Sequence, residues 1–280
     1  MTFSSSLVQV AFSLAAVVVW GVADFTGGYA AHRANAYLVA TIAHASALIF
    51  VGTLALSTHA AWPSHESIAW SLAAGLCGGA ALAFFYRALA AGKMGLTAPV
   101  SAVLGAAIPT IFTIATQGAP GVLRIDGFLL AALGIWLISR TEDHVRPQGI
   151  GLAVLAGIGF AGFFLCARQA GDASSFWIAA FAKTSSLALT IPIVLVGRSF
   201  RHVHRASAGW AVLAGCLDVT GTVLFVRASQ TGRLDSAVVL SSLYPVVTVL
   251  LAKLILKEHF TRWKAVGMVA ALLAVPLIAM

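Results

Sequence analysis

Apolar residues run through this chain in long blocks separated by short polar breaks. Ten blocks fall near 7–29, 36–57, 68–91, 96–117, 122–139, 148–169, 175–197, 208–230, 235–256 and 263–280. Their lengths bracket the roughly 20 residues that a helix needs to cross a bilayer core. A transmembrane barrel would instead show segments of about ten residues with alternating polarity. Lipid offers the backbone no hydrogen-bond partner, so the blocks predict helices. The expected fold is all-α and integral to the membrane, with about ten spans. The breaks read as loops. Ala60-Ala61-Trp62-Pro63-Ser64-His65-Glu66 combines a proline, a tryptophan and charge at an interface. Gly118-Ala119-Pro120-Gly121 is a tight turn, and Arg140 to Pro147 is the most polar stretch, at the midpoint.

A shift of 140 positions superposes the two halves of the chain. Gly75 meets Gly215, Phe85 meets Phe225, Arg87 meets Arg227 and Ala88 meets Ala228. The register holds through Gly92 and Gly232, Lys93 and Arg233, Ser101 and Ser241, Arg124 and Lys264, and Gly127 and Gly267. Apolar windows match often by chance, whereas glycines and charges in one register do not. The chain therefore divides into residues 1–140 and 141–280, five helices each. Five is odd, so the second half enters the membrane from the opposite side and the repeat is inverted. That arrangement lets two similar halves exchange conformations about a central site.

Composition removes most other classes. Hydrophobic residues make up 60% and charged residues 9% of the 280, with mean hydropathy +0.96. Soluble domains carry about 25% charged residues. The first block is longer than a signal-peptide core, carries Asp24 and lacks a clear cleavage site, so it reads as a retained span. The net charge of +8 sits in short loops, as at Arg198, Arg201 and Arg205, which points to anchoring and topology rather than nucleic acid. The positive-inside rule places the loops joining spans 1–2, 3–4, 5–6, 7–8 and 9–10 in the cytoplasm and the termini outside. Cys77, Cys166 and Cys216 lie within apolar blocks and read as small buried hydrophobes. The chain shows no nucleotide-binding, metalloprotease or hydrolase motif, and no cofactor or metal site is expected. His202 and His204 share a basic loop without acidic ligands nearby.

The second half carries a recognisable pattern. Ser241 to Ala252 (SSLYPVVTVLLA), then Lys257-Glu258, Trp263, Gly267 and a last apolar helix, resembles the EamA domain of the drug/metabolite transporter superfamily. Trp20-Gly21 in the first span fits the same family. The resemblance covers the whole chain as two EamA copies. Gly118 stands where the second half has Glu258, and Gly105 stands where it has Pro245. The family implies ten spans with both termini cytoplasmic, opposite to the charge count, and it leans towards export. It is uninformative about substrate.

Charges in mid-membrane cost about 2.5–3.5 kcal/mol on insertion scales and therefore face a cavity or a partner. Asp24, His44, Lys183 and Asp218 are such residues. His44 and Lys183 occupy related places in spans 2 and 7, one residue off the main register, and EamA proteins often carry a basic residue there. Asp218 has Gly78 as its repeat counterpart, so it breaks the symmetry. Asp24 lies one turn after Trp20. Each of these reads either as a contact to substrate or coupling proton, or as half of a structural ion pair, with Lys183 or His44 as partner of the acids. Arg87, Arg227 and Arg168 end helices, where a cation meets the negative end of the dipole. Among the aromatics Trp20, Tyr86, Phe160, Trp177 and Tyr244, the stronger pocket candidates are Trp20 and Tyr244. Tyr244 precedes Pro245, whose kink frees a backbone carbonyl.

The function expected is a secondary transporter, not an enzyme. It moves a small polar metabolite by alternating access, with proton coupling through Asp218 or Asp24. Both signs of charge suit a zwitterion such as an amino acid or a related compound better than a pure cation, with a drug-like cation as the other substrate class. The expected partners are that substrate, protons and the bilayer, with no nucleic acid, and a monomer is sufficient. The expected location is the bacterial cytoplasmic (inner) membrane, crossed many times. The alternatives are a membrane-embedded enzyme on a lipid-like substrate, and a passive channel or scaffold.

Overall fold

A computed structural model of the chain describes residues 3–91, 94–139, 149–197, 205–257 and 261–279. The midpoint stretch from Arg140 to Pro147, His202, His204 and Glu258 lie outside the described residues. Among the described residues there are eleven helices and no strand. They are α1 (Phe3–Ala31), α2 (Ala36–Ser57), α3 (His65–Ala91), α4 (Met94–Gln117), α5 (Val122–Ser139), α6 (Ile150–Gln169), α7 (Ser175–Val196), α8 (Arg205–Thr231), α9 (Leu234–Ser241), α10 (Pro245–Ile255) and α11 (Arg262–Ala279). Nine stretches of them are long and apolar enough to cross a membrane, α9 and α10 counting as one. The 18-residue α5 is the tenth apolar helix. Local sequence sets the ends. Asn35 caps α2, its side chain accepting from the amides of Tyr37 at 3.0 Å and Leu38 at 3.3 Å.

One expected span is two helices. The block at 235–256 breaks at Ser242-Leu243-Tyr244, and Pro245 opens α10. Proline has no amide hydrogen and a fixed φ, so it starts a helix more readily than it continues one. The break closes on itself: the amides of Leu243 and Tyr244 donate to the carbonyls of Leu240 and Ser241 at 3.2 and 3.3 Å. The Tyr244 carbonyl accepts from the amides of Val247 and Thr248 and is not free.

Helices related by the 140-residue shift pack alike. α1 lies along α8 as α6 lies along α3; α2 meets α7 and α8 as α7 meets α2 and α3; α5 pairs with α11. Two matched crossings make this visible. Gly75 of α3 lies on the backbone of Ala182, and Ser185 donates to Leu72 O at 2.7 Å. Its counterpart Gly215 of α8 lies on the backbone of Ala43, and Ser46 donates to Val212 O at 3.3 Å. A Cβ at either glycine would overlap a carbonyl, so both positions need glycine for close approach. Outward residues such as Ile49, Ile111, Leu129, Leu254 and Leu272 are at least 64% exposed, which suits a lipid-facing surface.

Polar contacts join the halves on the side where the chain starts. The Gln9 side-chain amide donates to the carbonyls of Ala228 at 3.2 Å and Arg233 at 2.8 Å. Arg233 pairs with the fully buried Asp235 at 2.7 Å and donates to Gly118 O at 3.0 Å. Trp177 Nε1 donates to Ala60 O at 2.9 Å.

Candidate functional site

One face of α1 carries Gln9, Ser13, Ala16, Trp20 and Asp24 at helical spacing, every one of them buried. The upper part of this stripe reaches a cavity between the halves. The Trp20 indole lies flat on Gly221 and donates from Nε1 to the Asp218 carbonyl at 3.0 Å. Its ring stacks on Phe225 at 5.7 Å and meets Tyr244 edge-on at 6.3 Å. Phe164 lies 6.0 Å from the same ring. The repeat counterparts of Trp20 and Asp24 are Phe160 and Phe164 of α6, so two equivalent helix faces oppose each other, one charged and one aromatic.

The cavity contains about 570 Å³ of space free of protein atoms, its open mouth included. Trp20, Asp24, Lys183, Asp218 and Tyr244 all line it. Lys183 and Asp218 form an ion pair, their side chains 9% and 15% exposed. Among the described residues the Asp24 carboxylate has no hydrogen bond and no ion pair, though only 7% of the residue is exposed. The Ser242 hydroxyl is buried on the same lining and also lacks a partner. Thr222 donates to the Asp218 carbonyl at 3.0 Å and Ser101 to the Ala153 carbonyl at 3.0 Å, so both hydroxyl protons are committed.

His44 stands apart. It is 1% exposed and off the cavity lining, and its ring approaches the backbone of Gly79 without completing a hydrogen bond. The alternative of an acid paired with His44 is not the pairing seen; Asp218 takes Lys183. Tyr86 is fully buried against Gly27, and Trp177 belongs to an aromatic cluster with Trp62 and Phe181. The Arg87 guanidinium lies 5.5 Å from the Tyr37 ring centre, and Arg168 sits in the last turn of α6. The lining also includes Gly78, Phe163, Phe164 and Ser242, which sequence reasoning did not single out as pocket residues. The signal for the phenylalanines was present, since Phe160, Phe163 and Phe164 share one face of a helix at spacings of three and four.

Residues 147–280 match the EamA-like transporter family. The second half of the chain thus carries an EamA-like transporter domain. The chain is 27% identical over 146 residues to solute carrier family 35 member G1 of Homo sapiens, a match taking in 50% of this chain. The match spans 40% of that protein's length. A crystal structure of another protein superposes on the chain with a TM-score of 0.71, covering 99% of this chain and 96% of that one. At 16% identity this likeness concerns the fold alone.

Proposed function

We propose that the chain is a secondary transporter that moves a small polar metabolite across a bacterial cytoplasmic membrane by alternating access, as an exporter coupled to protons. The substrate is an amino acid, a related compound or a drug-like cation. The observation that carries this reading is the cavity between the halves, in which Asp24, Lys183 and Asp218 are drawn together in an otherwise apolar bundle. Charges there cost free energy that a structural core would avoid, and a transported polar ligand gives them a use.

The geometry supports a division of roles. Trp20, Tyr244 and the α6 phenylalanines offer an apolar wall. Lys183 and Asp218 come from neighbouring helices of the second half, and Asp24 comes from the first. Asp24 stands on α1 and the pair on α7 and α8, so a rearrangement of these helices during transport changes the distance between Asp24 and the pair. In such a cycle Asp24 or Asp218 takes a proton on one side of the membrane and gives it up on the other. The Gln9 and Arg233 contacts close the bundle on the side of α1's start and break when that side opens.

Counter-flow in proteoliposomes tests the proposal. Full-length protein is reconstituted with a pH-sensitive dye inside, and amino acids, organic cations and nucleoside-like metabolites are presented in turn. Saturable exchange of one class with accompanying proton flux is expected, and Asp218→Asn is expected to abolish the proton flux while the protein still inserts. Linear, non-saturating flux would indicate a channel and refute a carrier.

A further inference from the structure

The charge arithmetic of the cavity narrows the ligand. Two carboxylates and one ammonium line it, and Lys183 with Asp218 form a neutral pair. Among the described residues, one buried carboxylate, Asp24, is left without a partner. No described arginine lines the cavity, and the hydroxyls of Thr222 and Ser101 already donate to carbonyls. A bound carboxylate would find no free cation and would face two carboxylates of its own sign. A bound ammonium would find Asp24 and the rings of Trp20, Phe164 and Tyr244, which attract cations through their π faces.

We infer that the cavity recognises an organic monocation, with its ammonium centre seated at Asp24 and its apolar body on the Trp20–Phe164–Tyr244 wall, in preference to a zwitterion or an anion. This rests on reading the cavity as the transported ligand's site. It replaces the zwitterion expected from the sequence, because the cation that would have held a carboxylate is already taken by Asp218. Ser242 supplies a buried, unpartnered hydroxyl on the lining for a second polar group of the ligand.

The test uses four compounds of one body: phenethylammonium, phenylalanine, 3-phenylpropionate and 2-phenylethanol. Calorimetric titration of the full-length protein in detergent is expected to show phenethylammonium binding at least about tenfold more tightly than each of the others. Asp24→Asn is expected to remove that preference, and Asp24→Glu to keep it. Phenylalanine binding as tightly as phenethylammonium overturns the inference, as does saturable binding of none of the four. Because the first comparison needs no variant, a fold defect in Asp24→Asn does not obscure it. Counter-flow separates this inference from the transport reading. Cation binding without counter-flow sinks transport and leaves the inference standing, whereas counter-flow of a zwitterion with no cation preference does the reverse.

Discussion

Breaking the Lys183–Asp218 pair should cost unequal amounts depending on which partner is removed. The side chains are 9% and 15% exposed, so solvent screens them little. Two unit charges 4 Å apart attract by about 4 kcal/mol at an effective dielectric of 20, and removing one partner of a buried pair typically costs about 3–5 kcal/mol. Lys183→Met leaves Asp218 and Asp24 facing one cavity without a cation, so it should lie at the full figure of about 3–5 kcal/mol. Asp218→Asn leaves Lys183 with Asp24 on the same cavity, and that carboxylate takes over as counter-ion. Its cost should fall to about 1–2 kcal/mol. The double variant removes both charges and should be less damaged than the sum of the singles by about 2 kcal/mol or more. Denaturant unfolding in detergent, run as a double-mutant cycle, measures these differences. Equal single costs below about 1 kcal/mol that simply add would refute the reasoning, since the pair would then be solvated and Asp24 irrelevant to it.

Three further outcomes follow from packing. Gly75→Ala and Gly215→Ala should each destabilise by about 1–3 kcal/mol, because the new methyl overlaps a carbonyl on the crossing helix, while Gly52→Ala, which meets nothing, should be neutral or gain slightly; unfolding midpoints compare the three. Asp235→Ala strands Arg233 and removes its fully buried partner, so it should cost about 2–4 kcal/mol and raise protease cleavage near Gly118, as limited proteolysis would show. His44→Leu should hold or raise stability by up to about 1 kcal/mol and leave ligand titrations unchanged, because it removes two ring nitrogens without hydrogen bonds from a site off the cavity; a loss above about 2 kcal/mol would show that the ring is partnered.

The all-helical, membrane-spanning character was readable because lipid dictates span length and internal backbone hydrogen bonding. Gly75 and Gly215 appeared in the sequence as one repeated letter; their role at matched crossings needed the packing. The break before Pro245 was visible as a proline in an apolar block, but a kink and a true helix end look alike there. The cost of mid-membrane charge singled out Asp24, Lys183 and Asp218, and the structure places all three on one cavity. The same criterion singled out His44, which is buried but is not among the cavity-lining residues, because burial cost does not say which neighbour a side chain meets. Which carboxylate takes Lys183 also could not be read, since Asp24 and Asp218 lie on different helices and only their separation in space decides. Phe163 and Phe164 passed unnoticed among sixteen phenylalanines, where single aromatics carry little information.

The Gln9 clasp has a consequence for biosynthesis. Its amide reaches carbonyls 219 and 224 positions further along the chain, and α1 as a whole packs chiefly on α8. At synthesis rates of about 5–20 residues per second, α1 waits roughly 10–40 s in the membrane before those partners emerge. Through that interval Gln9, Ser13 and Asp24 have none of their final neighbours from α8 and α9. Insertion machinery or transient water must shelter the stripe meanwhile, and α1, made well before its partners, is among the last helices to settle.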